Sequence, residues 1–178
     1  MSEPVFTIGH STRPLDDFLA LLAASEIDVV VDVRKLPGSR RYPHFDADAL
    51  SGSLREAGIA YERIPSLTGR RPVSRDVPFE TNAWWQNRSF HNYADHALSS
   101  EFREGLAGLR AASAERRIAL MCSEAVWWRC HRRIIADQLL AHGAEVRHIL
   151  GEDHTDAATL SAGAVVGPGR LVTYPADP

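Results

Sequence analysis

The chain has little cysteine. Its two cysteines, Cys122 and Cys130, sit in one short stretch of a 178-residue sequence. This excludes the disulfide framework of small secreted domains and fits a reducing, cytoplasmic setting. No apolar run approaches the ~18 residues that a spanning helix needs, so no membrane segment is expected. The first residues carry no basic region ahead of an apolar one, which argues against a signal peptide. Neither sign of charge dominates: the formal net charge is −3 and the pI about 6.2. That excludes a global attraction to nucleic acid or anionic membrane, but leaves room for a local basic patch. No basic helix is present, which argues against duplex DNA binding in the manner of a transcription factor. Repeats and dividing linkers are also missing. The length therefore suits one domain over residues 1–178, with a sizeable core.

What is present is alternation. Five apolar runs, at 5–8, 29–33, 60–64, 117–122 and 145–150, read as short strands. The run Val29-Val30-Val31 does not alternate, which suits a strand buried on both faces of a parallel sheet. Helical patterns fall between the strands, at 14–25 with Thr12 as its cap, 46–57, 99–114 with Ser99 or Ser100 as its cap, and 127–142. Gly58 and Gly143 stop two of them. The expected fold is α/β: a mainly parallel sheet with helices on both faces, a Rossmann-like three-layer arrangement. Residues 65–98 interrupt the alternation with a long insertion, in which a short helix is expected near 90–98. Its Trp84, Trp85, Phe90 and Tyr93 argue against disorder. The tail, 151–178, is Ala/Gly-rich, and 164–166 with 171–174 form an expected small C-terminal hairpin.

In parallel sheets, ligands bind at the carboxyl ends of the strands. Those ends would share one rim. The first offers His10 and Ser11. The second offers Asp32 and Arg34, followed by Lys35, Ser39, Arg40 and Arg41. The third leads to Thr68, Arg70 and Arg71. The fourth ends at Cys122 and Glu124. Guanidinium forks match carboxylate and phosphate geometry, and helix N-termini add backbone N–H groups, so an anionic ligand is expected. The opposing reading is a solvated basic loop paired with local acids. In the last helix, Ile135, Ala136, Leu139 and Leu140 define the face against the sheet, and Arg132 falls inside that arc. A buried arginine needs a partner, here Glu124, Asp32 or a ligand.

Cys122 admits three readings. It is a small core residue, or a nucleophile with His10 or His131 as its base, or a metal ligand with Cys130 and His131. The cysteine spacing is not a standard zinc pattern, and no metal is assigned. Cys122 to Arg129 is one residue longer than the Cys-x5-Arg phosphate loop of tyrosine phosphatases and lacks its glycines, so that assignment is rejected. His10 is a candidate acid or base, or else a structural histidine. Trp127 and Trp128 could stack on a flat ligand such as a base, or serve as core or dimer contacts.

Several separated blocks, in order, resemble one family: Thr7 to Thr12, Asp32-Val33-Arg34, Pro37 with Ser39 and Arg40, Leu67 to Arg71, Tyr93-Ala94-Asp95 before Phe102, and Leu120-Met121-Cys122 with Glu124, Cys130, His131 and Arg132. They look like DUF488, over roughly residues 5–150. The resemblance implies an α/β fold and a bacterial or archaeal cytoplasmic protein. It implies no reaction. The matching positions that it marks as a candidate site are His10, Ser11, Arg34, Ser39, Arg40, Cys122, Glu124, Cys130, His131 and Arg132. One stretch departs: Ala125 to Trp128 stand where the family carries a polar, often Asp-Pro-containing, segment.

The residues then point first to an enzyme acting on a phosphate-bearing substrate, a nucleotide or single-stranded nucleic-acid end. Ser11, Arg34, Ser39, Arg40, Arg71 and Arg132 would hold the anion. His10, Cys122 and Glu124 would supply the chemistry. One alternative is a non-catalytic module for an anion or a protein partner. Another is a metal-dependent hydrolase or redox protein using Cys122, Cys130 and His131. No cofactor is assigned.

Overall fold

A computed structural model describes residues 3–176. Six strands form the central sheet in the order β3-β2-β4-β1-β5-β6. They are β1 (Val5–Gly9), β2 (Val29–Asp32), β3 (Ala60–Arg63), β4 (Ile118–Cys122), β5 (Val146–Gly151) and β6 (His154–Ala157). The first five are parallel, and β6 returns antiparallel along β5. β1, β2 and β4 are buried at every position, as their continuous apolar runs require.

The two sheet faces collect different helices. Phe6, Ile8, Val30 and Met121 point to one face. There they pack on α1 (Leu15–Ala24) through Phe18 and Leu22, and on α2 (Ala47–Glu56) through Leu50 and Leu54. Val5, Val29, Val31, Leu120 and Cys122 point to the other. There they meet α3 (Arg88–His96), α4 (Ser100–Ser113) and α5 (Arg132–Ala141) through Tyr93, Phe102, Leu106, Ile135 and Leu139. The three-layer α/β arrangement is the one the alternation predicts. The hairpin also stands, as β7 (Val165–Val166) against β8 (Val172–Thr173). Ser99 caps α4, accepting the Phe102 N–H at 3.2 Å.

Four local expectations change. Thr12 does not cap α1; Pro14 occupies the cap position, with no side-chain bond. The last helix begins at Arg132 rather than Trp127. Trp127–Arg129 form a separate 3-10 turn, and Cys130 is extended (φ −133°, ψ 152°), which breaks the helix before it starts. The tail supplies β6, which its polar sequence, His154 to Asp156, concealed. The short helix of the insertion covers Arg88–His96, capped by Asn87, whose Oδ1 accepts from the Ser89 and Phe90 N–H groups.

Insertion and tail fasten one another. Trp84 N–H donates to Tyr174 O at 2.9 Å, and Tyr174 N–H donates to Asn82 Oδ1 at 3.0 Å. The Tyr174 hydroxyl donates to buried Asp137 of α5 at 2.7 Å. Burial, opposed by the bonds from Tyr174 and Ser161, holds the Asp137 carboxyl above its usual range. The insertion is thus tied through the tail to α5.

Candidate active site

Adjacent strands β1 and β4 send their chains to opposite faces, β1 into α1 and β4 into α5. A crevice opens where such connections diverge. Two backbone bonds extend the ladder past the strand ends: His10 N–H to Cys122 O at 2.9 Å and Ser11 N–H to Ser123 O at 3.0 Å. The close approach depends on Gly9, where a Cβ would collide with the carbonyl of Glu124. A cleft of about 850 Å³ lies above this point.

Both cysteines form its floor. Cys122 is 3% exposed and Cys130 6% exposed; both are free thiols, and both line the cleft. Their sulfurs are 2.8 Å apart, a contact in which either thiol can donate. The surroundings decide which keeps its proton. Burial pushes the Cys122 thiol well up, and Cys130 adds to that effect. Burial also opposes ionisation of Cys130, but the bond from Cys122, the proximity of His131 and the charge of Arg132 outweigh it, and its thiol is driven well down. The Cys130 sulfur also accepts the Arg132 backbone N–H at the start of α5 and faces His131 Nδ1, each at 3.5 Å. Within the pair, the surroundings favour ionisation of Cys130 over Cys122.

Arg132 lies beneath the thiols and is 1% exposed. It points inward, as its position in the helical arc predicts. Its partners are not the carboxylates expected. Nη1 donates to Thr7 Oγ1 at 3.0 Å, Nη2 donates to the backbone carbonyl of Glu124 at 2.6 Å, and Nε has no partner. Among the described residues no carboxylate pairs with it. The Arg132 charge favours ionisation of the neighbouring Cys130 thiol. Around Arg132, Thr7 also contacts His148 Nδ1 at 2.6 Å, and His148 stacks on Trp127 at 4.6 Å. Burial, then Arg132, lower His148 to about 3, so it stays neutral.

The other wall is built on Asp32. Its carboxylate accepts Arg34 Nη2 at 2.7 Å, Arg34 Nε at 3.0 Å and the Tyr61 hydroxyl at 2.6 Å. Arg34 also donates to Phe45 O at 2.8 Å. His10 stacks on Phe45, with Nδ1 on Ser11 O at 2.9 Å and Nε2 on Arg34 Nη1 at 3.3 Å. The pattern fits one tautomer: Nδ1–H donates to the carbonyl, and Nε2 accepts from the guanidinium. Burial above all, against the Ser11 bond, lowers His10 to about 4. In this arrangement His10 lines the cleft with its Nε2 lone pair turned to the Arg34 guanidinium.

The rim above is basic. Lys35, Arg41, Arg70 and Arg129 line the cleft, with Glu124 as the one carboxylate in its lining. Among the described residues none of these four cations forms an ion pair. Ser11 (φ 50°) and Arg70 (φ 56°), both in the cleft lining, hold left-handed backbone that costs non-glycine residues energy, and such strain collects at functional sites. Ser11, Ser39 and His131 also line the cleft.

Four expected residues lie elsewhere. Arg40 does not line the cleft. Arg71 is folded onto its own turn, with Nη2 on Pro65 O at 2.5 Å and Nε on Thr68 O at 3.0 Å. Arg132 is below the floor. Trp128 is 45% exposed and outside the lining, while Trp127 packs on His148. Conversely, Arg129 and Tyr93 belong to the site without having been singled out as contacts. Arg129 directly precedes Cys130, which was the available signal. No group of three or more His, Cys, Asp or Glu among the described residues is arranged to hold a metal. Sulfurs 2.8 Å apart are also too close to flank one tetrahedral zinc, where Zn–S bonds of ~2.3 Å set them about 3.7 Å apart.

A family model described as "Domain of unknown function DUF488" matches residues 14–139. The chain belongs to the DUF488 family. No curated protein and no solved structure matches it. The match covers the Arg34, Arg70 and Cys122–Arg132 contributions to the cleft, whereas His10 and Ser11 lie just ahead of it. Family membership assigns no reaction to this DUF488 chain. No helix among the described residues is long and apolar enough to cross a membrane.

Proposed function

We propose that this DUF488 protein is a thiol-dependent enzyme acting on a small phosphate-bearing substrate, a nucleotide or a single-stranded nucleic-acid end. The observation that carries the reading is a thiolate-favouring cysteine, Cys130, at the floor of a cleft whose rim holds four unpaired cations and one carboxylate. Cations of this kind stabilise charge that develops on a transferring phosphoryl group. Lys35, Arg41, Arg70 and Arg129 hold the anion. The Cys130 sulfur bonds to phosphorus as the bond to the leaving oxygen breaks, and that oxygen takes a proton from water in the open cleft. Water then releases phosphate from the sulfur. Arg34 and His10 support the wall, and Arg132 supports the thiolate.

A thermal-shift screen with phosphate, nucleotides, short single strands and carboxylic acids tests the binding half. A ligand at 100 times its Kd adds about 2.7 kcal/mol of apparent stability. The expected result is a shift by one phosphorylated class that shrinks in Arg70→Ala and Arg129→Ala and persists in Arg71→Ala. No shift by any phosphorylated compound would reject the reading. Turnover of the responding class, lost in Cys130→Ser, tests the chemical half; unchanged turnover in that variant rejects Cys130 as the nucleophile.

A further inference from the structure

We propose that Cys122 and Cys130 form a reversible dithiol–disulfide couple, reached from the cleft by low-molecular-weight disulfides. The inference rests on Cys130 as the thiolate of the proposed function, but not on the identity of the substrate. Two free thiols 2.8 Å apart need only a small closing movement to bond. The elements behind them favour that movement. Cys122 is fixed in β4 by its register with Gly9 of β1. Cys130 is the extended residue between a 3-10 turn and α5; its N–H donates to Trp127 O and its carbonyl accepts the Arg133 N–H, so the closing movement falls to its side chain. Both line the cleft, so a small disulfide can reach the pair although each thiol is nearly buried.

The asymmetry of the pair assigns the roles. The thiolate is the attacking species in exchange, so Cys130 attacks and Cys122 resolves. In the first step the Cys130 thiolate bonds to one sulfur of a disulfide RSSR. Its S–S bond breaks and RS⁻ leaves, giving a mixed disulfide on Cys130. In the second step Cys122 loses its proton to the departing thiolate and attacks the Cys130 sulfur. The Cys122–Cys130 bond forms and the second R group leaves as RSH. The two cysteines are oxidised by two electrons, and one RSSR becomes one RS⁻ and one RSH. The closed bond ties down the loop bearing Glu124 and Arg129 and removes the nucleophile, so substrate chemistry stops in the oxidised form.

The test is equilibration of the full chain with mixtures of glutathione and its disulfide, followed by acid quenching and intact mass measurement. The wild type is expected to reach a species lighter by two hydrogens, without iodoacetamide-reactive thiols, and to revert with dithiothreitol. Cys122→Ser is expected to stop at one bound glutathione. A wild type that also stops at one bound glutathione, or that takes up none and loses no hydrogens, overturns the couple. Cys130→Ser that becomes glutathionylated on Cys122 at the wild-type rate overturns the assignment of Cys130 as attacker. These readouts contain no phosphate, so a failed couple and a failed phosphate site are told apart.

Discussion

Asp32 clasps Arg34 two residues along the same strand end, with Nη2 2.7 Å from Oδ2 and Nε 3.0 Å from Oδ1, and both side chains are buried. Removing one partner leaves the other charged and enclosed, which typically costs about 3–5 kcal/mol. Asp32→Ala is therefore expected to lower the urea unfolding free energy by about that amount. Tyr61→Phe, which removes one hydrogen bond to a carboxylate, is expected to cost about 1.5–3 kcal/mol at most. The double variant Asp32→Ala/Arg34→Ala should cost less than the sum of the single changes. Additive costs would mean that the pair does not hold the wall together.

The proton assignment of the two thiols is testable through the donor. Cys122→Ala removes the S–H that favours the Cys130 thiolate. A hydrogen bond to a charged group is worth about 1.5–3 kcal/mol, and 1.36 kcal/mol corresponds to one pH unit. The midpoint of Cys130 alkylation by iodoacetamide is expected to rise by about 1–2 pH units in this variant. A midpoint unmoved by the substitution would place the charge on other supports than Cys122.

Much of this was legible in the sequence, and the reasons are specific. The unbroken Val29-Val30-Val31 run disclosed a two-face-buried strand, and the alternation disclosed the layers. Arg132 was readable as inward-facing because it falls in the arc of Ile135 and Leu139. Its partners were not, because Thr7 Oγ1 and the Glu124 carbonyl are hydrogen-bond acceptors that a search for opposite charge passes over. The choice between Cys122 and Cys130 was hidden for a similar reason. It depends on Cys130 being extended ahead of α5, whereas the apolar periodicity ran the helix back to Trp127. Arg34 does line the cleft, but its guanidinium is also clasped by Asp32, which lies on the same face two residues earlier. β6 was concealed because an edge strand half open to solvent, His154–Ala157, need not be apolar.

Stability should fall on acidification through His148. Its folded value is about 3, against about 6.5 in an unfolded chain. Between those values the unfolded chain binds a proton that the folded chain does not, so the folded state loses stability as pH drops from 6.5 toward 3. His10, lowered to about 4, acts in the same direction. Asp95 and Asp137 are raised by burial and act in the opposite sense, which makes the difference between two proteins the useful measurement. His148→Gln is expected to flatten the slope of unfolding free energy against pH over 4–6.5, by at most about 1.4 kcal/mol per unit. Parallel slopes for the two proteins would mean that His148 takes its proton in the folded state too.

Three glycine-to-alanine changes separate close approach from open space. At Gly69 a Cβ would lie 2.8 Å from His131 Nδ1, so the imidazole must move. That nitrogen sits 3.5 Å from the Cys130 sulfur, so a displaced imidazole weakens this contact. Gly69→Ala is expected to cost about 1–3 kcal/mol through crowding and to raise the alkylation midpoint of Cys130. At Gly9 the Cβ meets the backbone carbonyl of Glu124, which cannot swing aside as a side chain can. Gly9→Ala must push the β1 and β4 ends apart, and it should be the most damaging of the three. At Gly52, within α2, a Cβ meets nothing within 4 Å. There alanine gains helix propensity, and the protein is expected to be more stable by about 0.5–1 kcal/mol. Urea unfolding of the three variants, with the alkylation midpoint read on each that folds, gives the order. A Gly69→Ala protein with an unchanged midpoint would show that His131 does not help to hold the Cys130 thiolate, whatever its effect on stability.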